Sequence, residues 1–433
     1  MLIKKGRVVS LADNLDDNLD VRILNGRIFE LGKDLSPFAD EEVIEAKGLI
    51  ITPGLVDMHC NLREPGYEYK ETIKTGLDSA VSGGFTVVCP MANTNPATDS
   101  VMTLKYVFDR AKEADSAAVY PVCALTKNLE GEVITNFSEL KDNGAVAFSD
   151  DGKPVENMKL LKTALEYAKS LDCLVIMHSE DTSLAKNGVI NESVNSGKLG
   201  LEGISTLAES VAIARELEIA RCTGARVHFA HISTKRSVEL IRNAKNEGLN
   251  VTCETAPHYF SMSEDNMPPY DARFKMNPPL RSAVDVQAII DGLVDGTIDA
   301  IATDHAPHSD TEKMGLIQNS PMGITGFETA LALTITNLVD KKHLTLGVAL
   351  EKLSSAPAAV LRLENQGRIK IGQNANLCIF DKEHEWTVDA GKFMSKCKLS
   401  PFDGMKLKGK AIYTIINGEV KYNANISSCQ SAY

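Results

Sequence analysis

The sequence predicts an α/β fold: a (β/α)8 closed barrel of parallel strands and crossover helices, joined to a small β-sandwich-like domain formed by both termini. Through the middle of the chain, short apolar runs alternate with amphipathic stretches, which is typical of a parallel sheet with crossover helices. Eight such apolar runs occur, a number that favours a closed barrel. At both ends of the chain, short β-like runs flank Asn-Gly pairs, which indicate hairpins instead of crossovers.

The 433 residues accommodate one large domain and a smaller unit, and 43% hydrophobic residues is a globular composition. We assign residues 53–364 to the barrel, and residues 1–52 together with 365–422 to the small β domain. Residues 423–433 have no periodic pattern and are expected to form a loose tail.

Each apolar run of the middle region is a predicted barrel strand, and several of these runs end in a residue that can bind a metal. The C-terminal strand ends line the active site in barrels of this kind, so these residues are expected to converge. Crossover helices are predicted at residues 156–171, 207–224 and 234–248, the last two ending in a glycine suited to a C-cap. The predicted strands lie within residues 49–59, 85–91, 117–125, 144–151, 173–180, 225–233, 250–259 and 299–308.

The net charge of the chain limits the kinds of binding partner that can be expected. Forty-six Lys and Arg against 58 Asp and Glu give a net charge of −12, which argues against a nucleic acid or an anionic membrane as the main partner. A small-molecule site remains open. The first residues lack the apolar core of a signal peptide and no apolar run approaches 18 residues, so we expect a cytoplasmic protein. Nine scattered cysteines without a CxxC pair indicate neither a disulfide framework nor a cysteine zinc site.

The segment DMHCNLR, residues 57–63, ends the first predicted barrel strand. Side chains alternate along a strand, so Asp57, His59, Asn61 and Arg63 are expected on one face. Imidazole nitrogen is a donor that Zn²⁺ favours, whereas the amide oxygen of Asn61 is a much poorer one. Arg63 on the same face can bind a carboxylate through two parallel hydrogen bonds.

Four further residues complete a predicted metal centre. His178 and His231 end successive predicted strands, and Asp151 and Asp304 end two others. A single histidine at a strand end is usually only hydrogen-bonded to backbone, but the joint placement of these residues with His59 indicates a metal site. Imidazole and carboxylate ligands suit Zn²⁺ without excluding Mn²⁺ or Co²⁺.

Nine motifs in order make the chain similar to the class I dihydroorotases of the amidohydrolase superfamily over nearly its whole length. They are GLVDMHCNLREPG, GGFTVVCPMANTNP, GAVAFSDDG, IMHSE, FAHIS, ETAPHY, MNPPLR, ATDHAPHSDTEK and SPMGITGFET. The resemblance implies a metal-dependent hydrolase barrel with a flanking β domain. It also implies one metal held by His59, the residue at 61, Asp151 and Asp304, and a second held by Asp151, His178 and His231, with Asp151 bridging.

The implied reaction is the reversible cyclisation of N-carbamoyl-L-aspartate to L-dihydroorotate, a step of de novo pyrimidine (UMP) biosynthesis. The resemblance implies Asp304 as the catalytic acid and base. Residues 308–323 form a long polar segment that could cover the site as a mobile loop. The resemblance implies substrate binding by Asn61, Arg63, Asn93, Asn277, His308, Met322 and Gly323, of which Arg63, Asn93 and His308 hold the carboxylate.

Two alternatives remain open. Hydantoinases, dihydropyrimidinases and allantoinases resemble class I dihydroorotases but bridge their metals with a carboxylated lysine. Here the segment AFSDDGKP has Asp151 at the bridging position, and Lys153 follows a glycine and is interpreted as a solvated charge. The lack of a lysine at the bridging position favours a dihydroorotase. The second alternative is a noncatalytic dihydroorotase-like partner of an aspartate transcarbamoylase. An active enzyme is favoured because the other site residues are intact.

The family pattern has histidine at position 61, so Asn61 leaves one or two Zn²⁺ ions per chain as alternatives. The second site could act alone, or Asn61 could bind a weaker first metal through its amide oxygen or a water. A homodimer and an association with aspartate transcarbamoylase are the hypotheses for partner chains.

Overall fold

A closed barrel of parallel strands forms the centre of the computed structural model of this chain, in which residues 1–424 are described. Its third position is built from two short strands, Ala118–Val119 and Val122–Cys123, separated by Tyr120 and Pro121. The first pairs with Phe85–Pro90 and the second with Ala147–Phe148, so together they act as one barrel strand. The barrel strands are Leu55–Cys60, Phe85–Pro90, Ala118–Val119, Val122–Cys123, Ala147–Phe148, Leu174–Met177, Arg226–Phe229, Val251–Thr255 and Ala300–Ile301.

The barrel closes between its first and last strands. A parallel bridge joins Cys60 to His305 just beyond the last strand, and the backbone N–H of Asp304 donates to the carbonyl of His59 at 3.1 Å. The buried carboxylate of Asp57 accepts hydrogen bonds from the backbone N–H of Thr303 at 2.9 Å and from its hydroxyl at 2.5 Å. Asp57 therefore ties the two strands together.

The predicted strand at residues 49–59 is two strands in two sheets. Ile50–Pro53 belongs to the sheet of the termini, and Leu55–Cys60 begins the barrel. Gly54 lies between them, and a Cβ added there would be 2.1 Å from the Oγ1 of Thr86. A side chain at residue 54 would prevent the close passage of the chain from one sheet to the other.

Both ends of the chain build one eight-stranded sheet. Leu377–Thr387 pairs antiparallel with Ile50–Pro53, which joins the C-terminal strands to the N-terminal ones. Buried Ile, Val and Leu side chains from both ends form its core. The strands are Leu2–Ser10, Leu15–Leu24, Arg27–Gly32, Val43–Glu45, Ile50–Pro53, Leu377–Thr387, Lys406–Ile416 and Glu419–Asn423.

The predicted α/β class, with a barrel and a β domain from both termini, is confirmed. The domain bounds at residues 52 and 365 stay predictions. The predicted tail, residues 423–433, lies outside the described residues from residue 425 onwards. A further pair of short strands, Ile190–Asn191 and Gly203–Ile204, lies outside both sheets.

The described helices of ten or more residues all begin at side-chain caps. The predicted helix at 207–224 is Thr206–Thr223, with the Ser205 hydroxyl capping its start and Gly224 ending it at φ 65°. Within residues 1–424, no helix combines the length and the apolar character needed to cross a membrane. The α-helices are Ile73–Ser82, Val101–Ala114, Phe137–Asp142, Met158–Ser170, Thr182–Ala185, Val194–Leu199, Thr206–Thr223, Lys235–Asn246, Pro257–Ser261, Ala283–Val294, Asp310–Lys313, Phe327–Thr334, Leu346–Leu353 and Ser355–Val360. A π-helical turn spans Ile335–Val339, and short 3-10 helices span Leu11–Asp13, Lys127–Leu129, Glu264–Asn266, Ala272–Phe274 and Ala390–Lys392.

Candidate metal centre

Five predicted ligands converge at the C-terminal end of the barrel. One carboxylate oxygen, Oδ1 of Asp151, lies 3.3 Å from Nε2 of His59, 3.5 Å from Nδ1 of His178 and 3.7 Å from Nε2 of His231. Oδ1 of Asp304 lies 3.7 Å from the same nitrogen of His59. Three nitrogens and two carboxylates therefore surround one small volume, although they come from five different strand ends.

The backbone is strained at three of the predicted site residues. Arg63, His231 and Asp304 have φ values of 63°, 37° and 48°, in the left-handed region that residues other than Gly rarely adopt. Strain of this kind costs on the order of 1–3 kcal/mol per residue and clusters at functional sites. Its occurrence here is an independent sign that the strand ends serve chemistry.

Consecutive aspartates have different roles. The carboxylate of Asp150 accepts hydrogen bonds from the backbone N–H groups of Leu125 and Thr126 at 2.8 and 2.9 Å, which orders a neighbouring loop. Asp151 instead faces the histidines. Lys153 is exposed, as expected for a solvated charge.

A buried carboxylate orients His59. Nδ1 of His59 lies 2.9 Å from Oε1 of Glu254, and both side chains are 1% exposed. Glu254 has a pKa lowered to about 2, because its contacts with His228 and His59 outweigh its burial. An ionised carboxylate can only accept, so Nδ1 of His59 carries a proton that it donates to Glu254, and this contact points Nε2 into the cluster.

The nitrogens of the cluster fit a cation. His59 Nε2 is buried without a hydrogen-bond partner among the described residues. Nδ1 of His178 and Nε2 of His231 face each other at 2.9 Å, close enough for both nitrogens to be ligands of one cation. The other nitrogen of His178 lies 3.6 Å from Oε2 of Glu180. Imidazole with carboxylate is the donor set that borderline divalent metals prefer.

Asn61 also points an unpaired acceptor into the interior. Its Nδ2 donates to the carbonyl of His305 at 3.3 Å, while Oδ1 is buried with no hydrogen-bond partner in the described part of the chain. An orphaned buried acceptor costs about 1–3 kcal/mol unless water or a cation satisfies it. The side chain therefore has an oxygen free for such a partner.

The histidines also set the charge state of the carboxylates. Burial opposes the charged form of Asp151, but His59, His178 and His231 outweigh it and hold its pKa well below the ordinary value. Asp304 differs, because burial dominates and raises its pKa despite the nearby histidines. Two carboxylates with opposite shifts lie side by side, an arrangement typical of sites where one group stays ionised and the other exchanges protons.

Arg63 and His308 lie together beside the cluster. Nε of Arg63 donates to the carbonyl of Pro307 at 3.0 Å, and its Nη2 lies 3.2 Å from Nε2 of His308. The same His308 nitrogen is 2.7 Å from the carbonyl of Met322. Gly323 has φ 137°, and a Cβ there would be 3.0 Å from Nε2 of His308. Four predicted substrate-binding residues thus meet in one corner.

The two predicted asparagines contact the cluster through carboxylates. Nδ2 of Asn93 donates to Oδ2 of Asp151 at 3.0 Å, and Nδ2 of Asn277 donates to Oε1 of Glu180 at 3.1 Å. A small pocket beside His178 is lined by both Glu180 and Asn277. Among the described residues, neither asparagine forms a hydrogen bond with Arg63.

Three residues at this site have no predicted role. Glu254 and Glu180 lie within the motifs ETAPHY and IMHSE, and their position at the ends of barrel strands could have identified them. Lys70 lies in a loop after the first strand, where a lysine in a polar segment gives no signal. The predicted mobile segment 308–323 contains the short helix Asp310–Lys313.

Comparison with known proteins identifies the relatives of this chain. A family model described as Dihydro-orotase-like matches residues 48–237, and one described as Amidohydrolase family matches residues 202–422. A dihydroorotase of Citrifermentans bemidjiense is 49% identical over 98% of this chain and 100% of its own length. One of Geotalea daltonii is 49% identical over 97% of this chain and 98% of its own.

Solved structures show the same fold at low identity. An L-hydantoinase (dihydropyrimidinase) from Arthrobacter aurescens has a TM-score of 0.88 and 24% identity, covering 98% of this chain and 96% of that one. A dihydropyrimidinase from Brevibacillus agri has a TM-score of 0.83 and 21% identity, covering 98% and 95%. At this identity the likeness concerns the fold alone.

The barrel and its histidine–aspartate cluster define a hydrolase of the amidohydrolase class. Sequence identity near one half over the full length then narrows the class. The chain belongs to the dihydroorotase family, which confirms the resemblance predicted from its motifs.

Proposed function

We propose that this enzyme interconverts L-dihydroorotate and N-carbamoyl-L-aspartate in pyrimidine biosynthesis, using a zinc centre built on His59, Asp151, His178, His231 and Asp304. The observation that carries the proposal is the convergence of these five side chains at the C-terminal end of the barrel, near Arg63 and His308. A noncatalytic chain would have no need of an ordered ligand set with a carboxylate, Glu254, that fixes the orientation of His59.

The metal would be held by the nitrogens and oxygens that face Oδ1 of Asp151. When bound, a divalent cation polarises an amide carbonyl and lowers the pKa of water. Asp304 accepts a proton from the attacking water at its carboxylate and delivers that proton to the ring nitrogen as the amide C–N bond breaks. Ring closure runs these transfers in reverse. The raised pKa of Asp304 suits a group that both accepts and releases a proton.

Arg63 supplies the charge that the substrate carboxylate requires. Its guanidinium is half-buried against the loop of Pro307 and His308, where a charge-assisted hydrogen bond gains from partial exclusion of water. Asn277 and the backbone near Met322 and Gly323 are proposed to contact the ring. Asn93 is proposed to hold Asp151 as well as to contact the carboxylate, because its amide donates to that aspartate.

Turnover by the purified chain tests the proposal. The enzyme, freed of metal and reloaded separately with Zn²⁺, Mn²⁺ or Co²⁺, is expected to hydrolyse L-dihydroorotate, with formation of N-carbamoyl-L-aspartate followed by chromatography. Hydantoin and dihydrouracil, which lack the carboxylate, are expected to react more slowly. No turnover of dihydroorotate with any of the three metals would favour the noncatalytic alternative, and faster turnover of hydantoin would favour another cyclic amidohydrolase.

Asn61→His is expected to raise the metal content of the purified protein toward two ions per chain. The buried amide oxygen of Asn61 is a weaker donor than an imidazole nitrogen, so the substitution strengthens the first site only. Elemental analysis after dialysis against limiting zinc measures the effect. Asn246→His is the matched control, because Asn246 is exposed on a crossover helix. An unchanged metal content would contradict the proposed ligand geometry.

For the assembly, we propose a homodimer and an association with aspartate transcarbamoylase. For the location in the cell, we propose the cytoplasm. Analytical ultracentrifugation of the purified chain, alone and with an aspartate transcarbamoylase, tests the first two. A single species at the 47.0 kDa mass of one chain would exclude both.

A further inference from the structure

Lys70 lies beside the proposed carboxylate clamp with no role assigned so far. Its side chain is 13% exposed, and Nζ lies 3.0 Å from Nδ1 of His308 and 3.1 Å from Oε1 of Glu312. It follows the first barrel strand in the loop before the helix Ile73–Ser82. A lysine with so little exposure must direct its charge at specific partners.

Two contacts decide which nitrogen of His308 carries the proton, one of Nδ1 with Lys70 and one of Nε2 with the carbonyl of Met322. A lysine ammonium has three donors and no acceptor, so Nδ1 of His308 must accept. The proton then lies on Nε2, which donates to the carbonyl of Met322 at 2.7 Å. Burial and the charges of Arg63 and Lys70 lower the pKa of His308 to about 2, which agrees with a neutral ring.

This tautomer leaves Arg63 free. Nη2 of Arg63 lies 3.2 Å from Nε2 of His308, but two donors cannot bond each other, so this guanidinium N–H has no acceptor in the imidazole. In the other tautomer, Nε2 would be an acceptor and would bind Arg63 directly. The substrate carboxylate would then have to break an arginine–histidine hydrogen bond before it could bind.

We propose that Lys70 is a positioning residue for substrate binding, which holds His308 in the tautomer that keeps the Arg63 guanidinium available for the substrate carboxylate. With that tautomer fixed, the single Nε2–H of His308 is donated to the carbonyl of Met322, and the Nη2–H of Arg63 beside it stays available to the substrate carboxylate. This inference rests on the proposed function, because it requires a substrate with a carboxylate.

Lys70 also reaches the segment that follows His308. Glu312, its second partner, lies in the short helix Asp310–Lys313, which begins at the capping hydroxyl of Ser309. A substitution of Lys70 therefore removes a polar contact to the imidazole and one to the helix, as well as the position of its ammonium 5.6 and 5.5 Å from the ring centroids of Tyr67 and Tyr69. Glu312→Gln weakens the second contact and leaves the first in place, so it separates the two effects.

The test compares steady-state kinetics of Lys70→Met, Lys70→Arg and Glu312→Gln. Loss of a charged hydrogen-bond partner is expected to raise KM for dihydroorotate by roughly 10- to 100-fold in Lys70→Met, with kcat nearly unchanged. Lys70→Arg is expected to recover most of the affinity, because guanidinium is also only a donor. Lys74→Met, an exposed lysine one helical turn further on, is the matched control.

The tautomer itself is measured by ¹⁵N shifts of histidine-labelled protein, with His308 assigned through His308→Gln. Wild type is expected to show an unprotonated Nδ1, and Lys70→Met a shift toward the other tautomer. An unchanged KM in Lys70→Met, an equal rise in Glu312→Gln, or a protonated Nδ1 in wild type would each overturn the inference. If wild type does not turn over dihydroorotate, the proposed function has failed, and the ¹⁵N measurement alone decides the role of Lys70.

Discussion

Asp304→Asn is expected to lower kcat for dihydroorotate hydrolysis by about 10²- to 10⁴-fold, the contribution typical of a positioned acid–base group. Asparagine keeps the size of the side chain and an oxygen that can face His59, but it cannot accept or release the proton at physiological pH. The pKa of Asp304, raised by burial, places the native carboxyl nearer the range in which it can do both. The measurement is kcat at saturating substrate in enzyme fully loaded with zinc.

Loss of metal would imitate loss of the proton carrier, so metal content must be measured on the same sample. The oxygen of Asp304 lies 3.7 Å from His59 Nε2, close enough to share a cation with it. Asp78→Asn is the control, since within residues 1–424 the ion pair of Asp78 is with Lys74, one turn away on the same helix. A zinc-loaded Asp304→Asn enzyme with kcat near that of wild type would show that another group carries the proton.

Arg63→Met is expected to lower kcat/KM for dihydroorotate by roughly 30- to 5000-fold, equivalent to about 2–5 kcal/mol, because one partner of a desolvated charge pair is lost. Methionine retains much of the apolar stem and has a Cβ like arginine, so the φ of 63° adds no new backbone strain. The loss is expected mainly in KM, since the carboxylate lies away from the bond that breaks.

A further arginine variant and a second substrate test whether the effect of Arg63→Met is specific to the substrate carboxylate. Arg63→Lys keeps the charge but loses the planar fork, and it should recover only part of the affinity. Hydantoin has no carboxylate, so any residual activity toward it should change little in Arg63→Met. Equal effects on both substrates would mean that Arg63 supports the loop of Pro307 and does not bind the carboxylate, and a melting temperature would reveal that change.

Much of the site follows from local sequence. Strand and helix alternation is a periodic signal, and strand ends of a parallel barrel must converge, so the fold class and the candidate residues at the strand ends were predictable. The family and the ligand set followed from the resemblance of nine ordered motifs. The family and the fold class are confirmed, while the roles of the individual site residues stay predictions. The split of residues 49–59 into two strands was not predictable, because an apolar run of residues does not indicate which sheet it joins.

The sequence by itself determined which residues reach the C-terminal end of the barrel. Only the tertiary structure decided which atoms they present. Glu254 lies 195 residues from His59 and accepts from its Nδ1, and Lys70 lies 238 residues from His308 and contacts Nδ1 of that ring. Periodicity places a side chain on a face, but the orientation of an imidazole depends on a hydrogen-bond partner brought near by folding, and no local pattern encodes that partner.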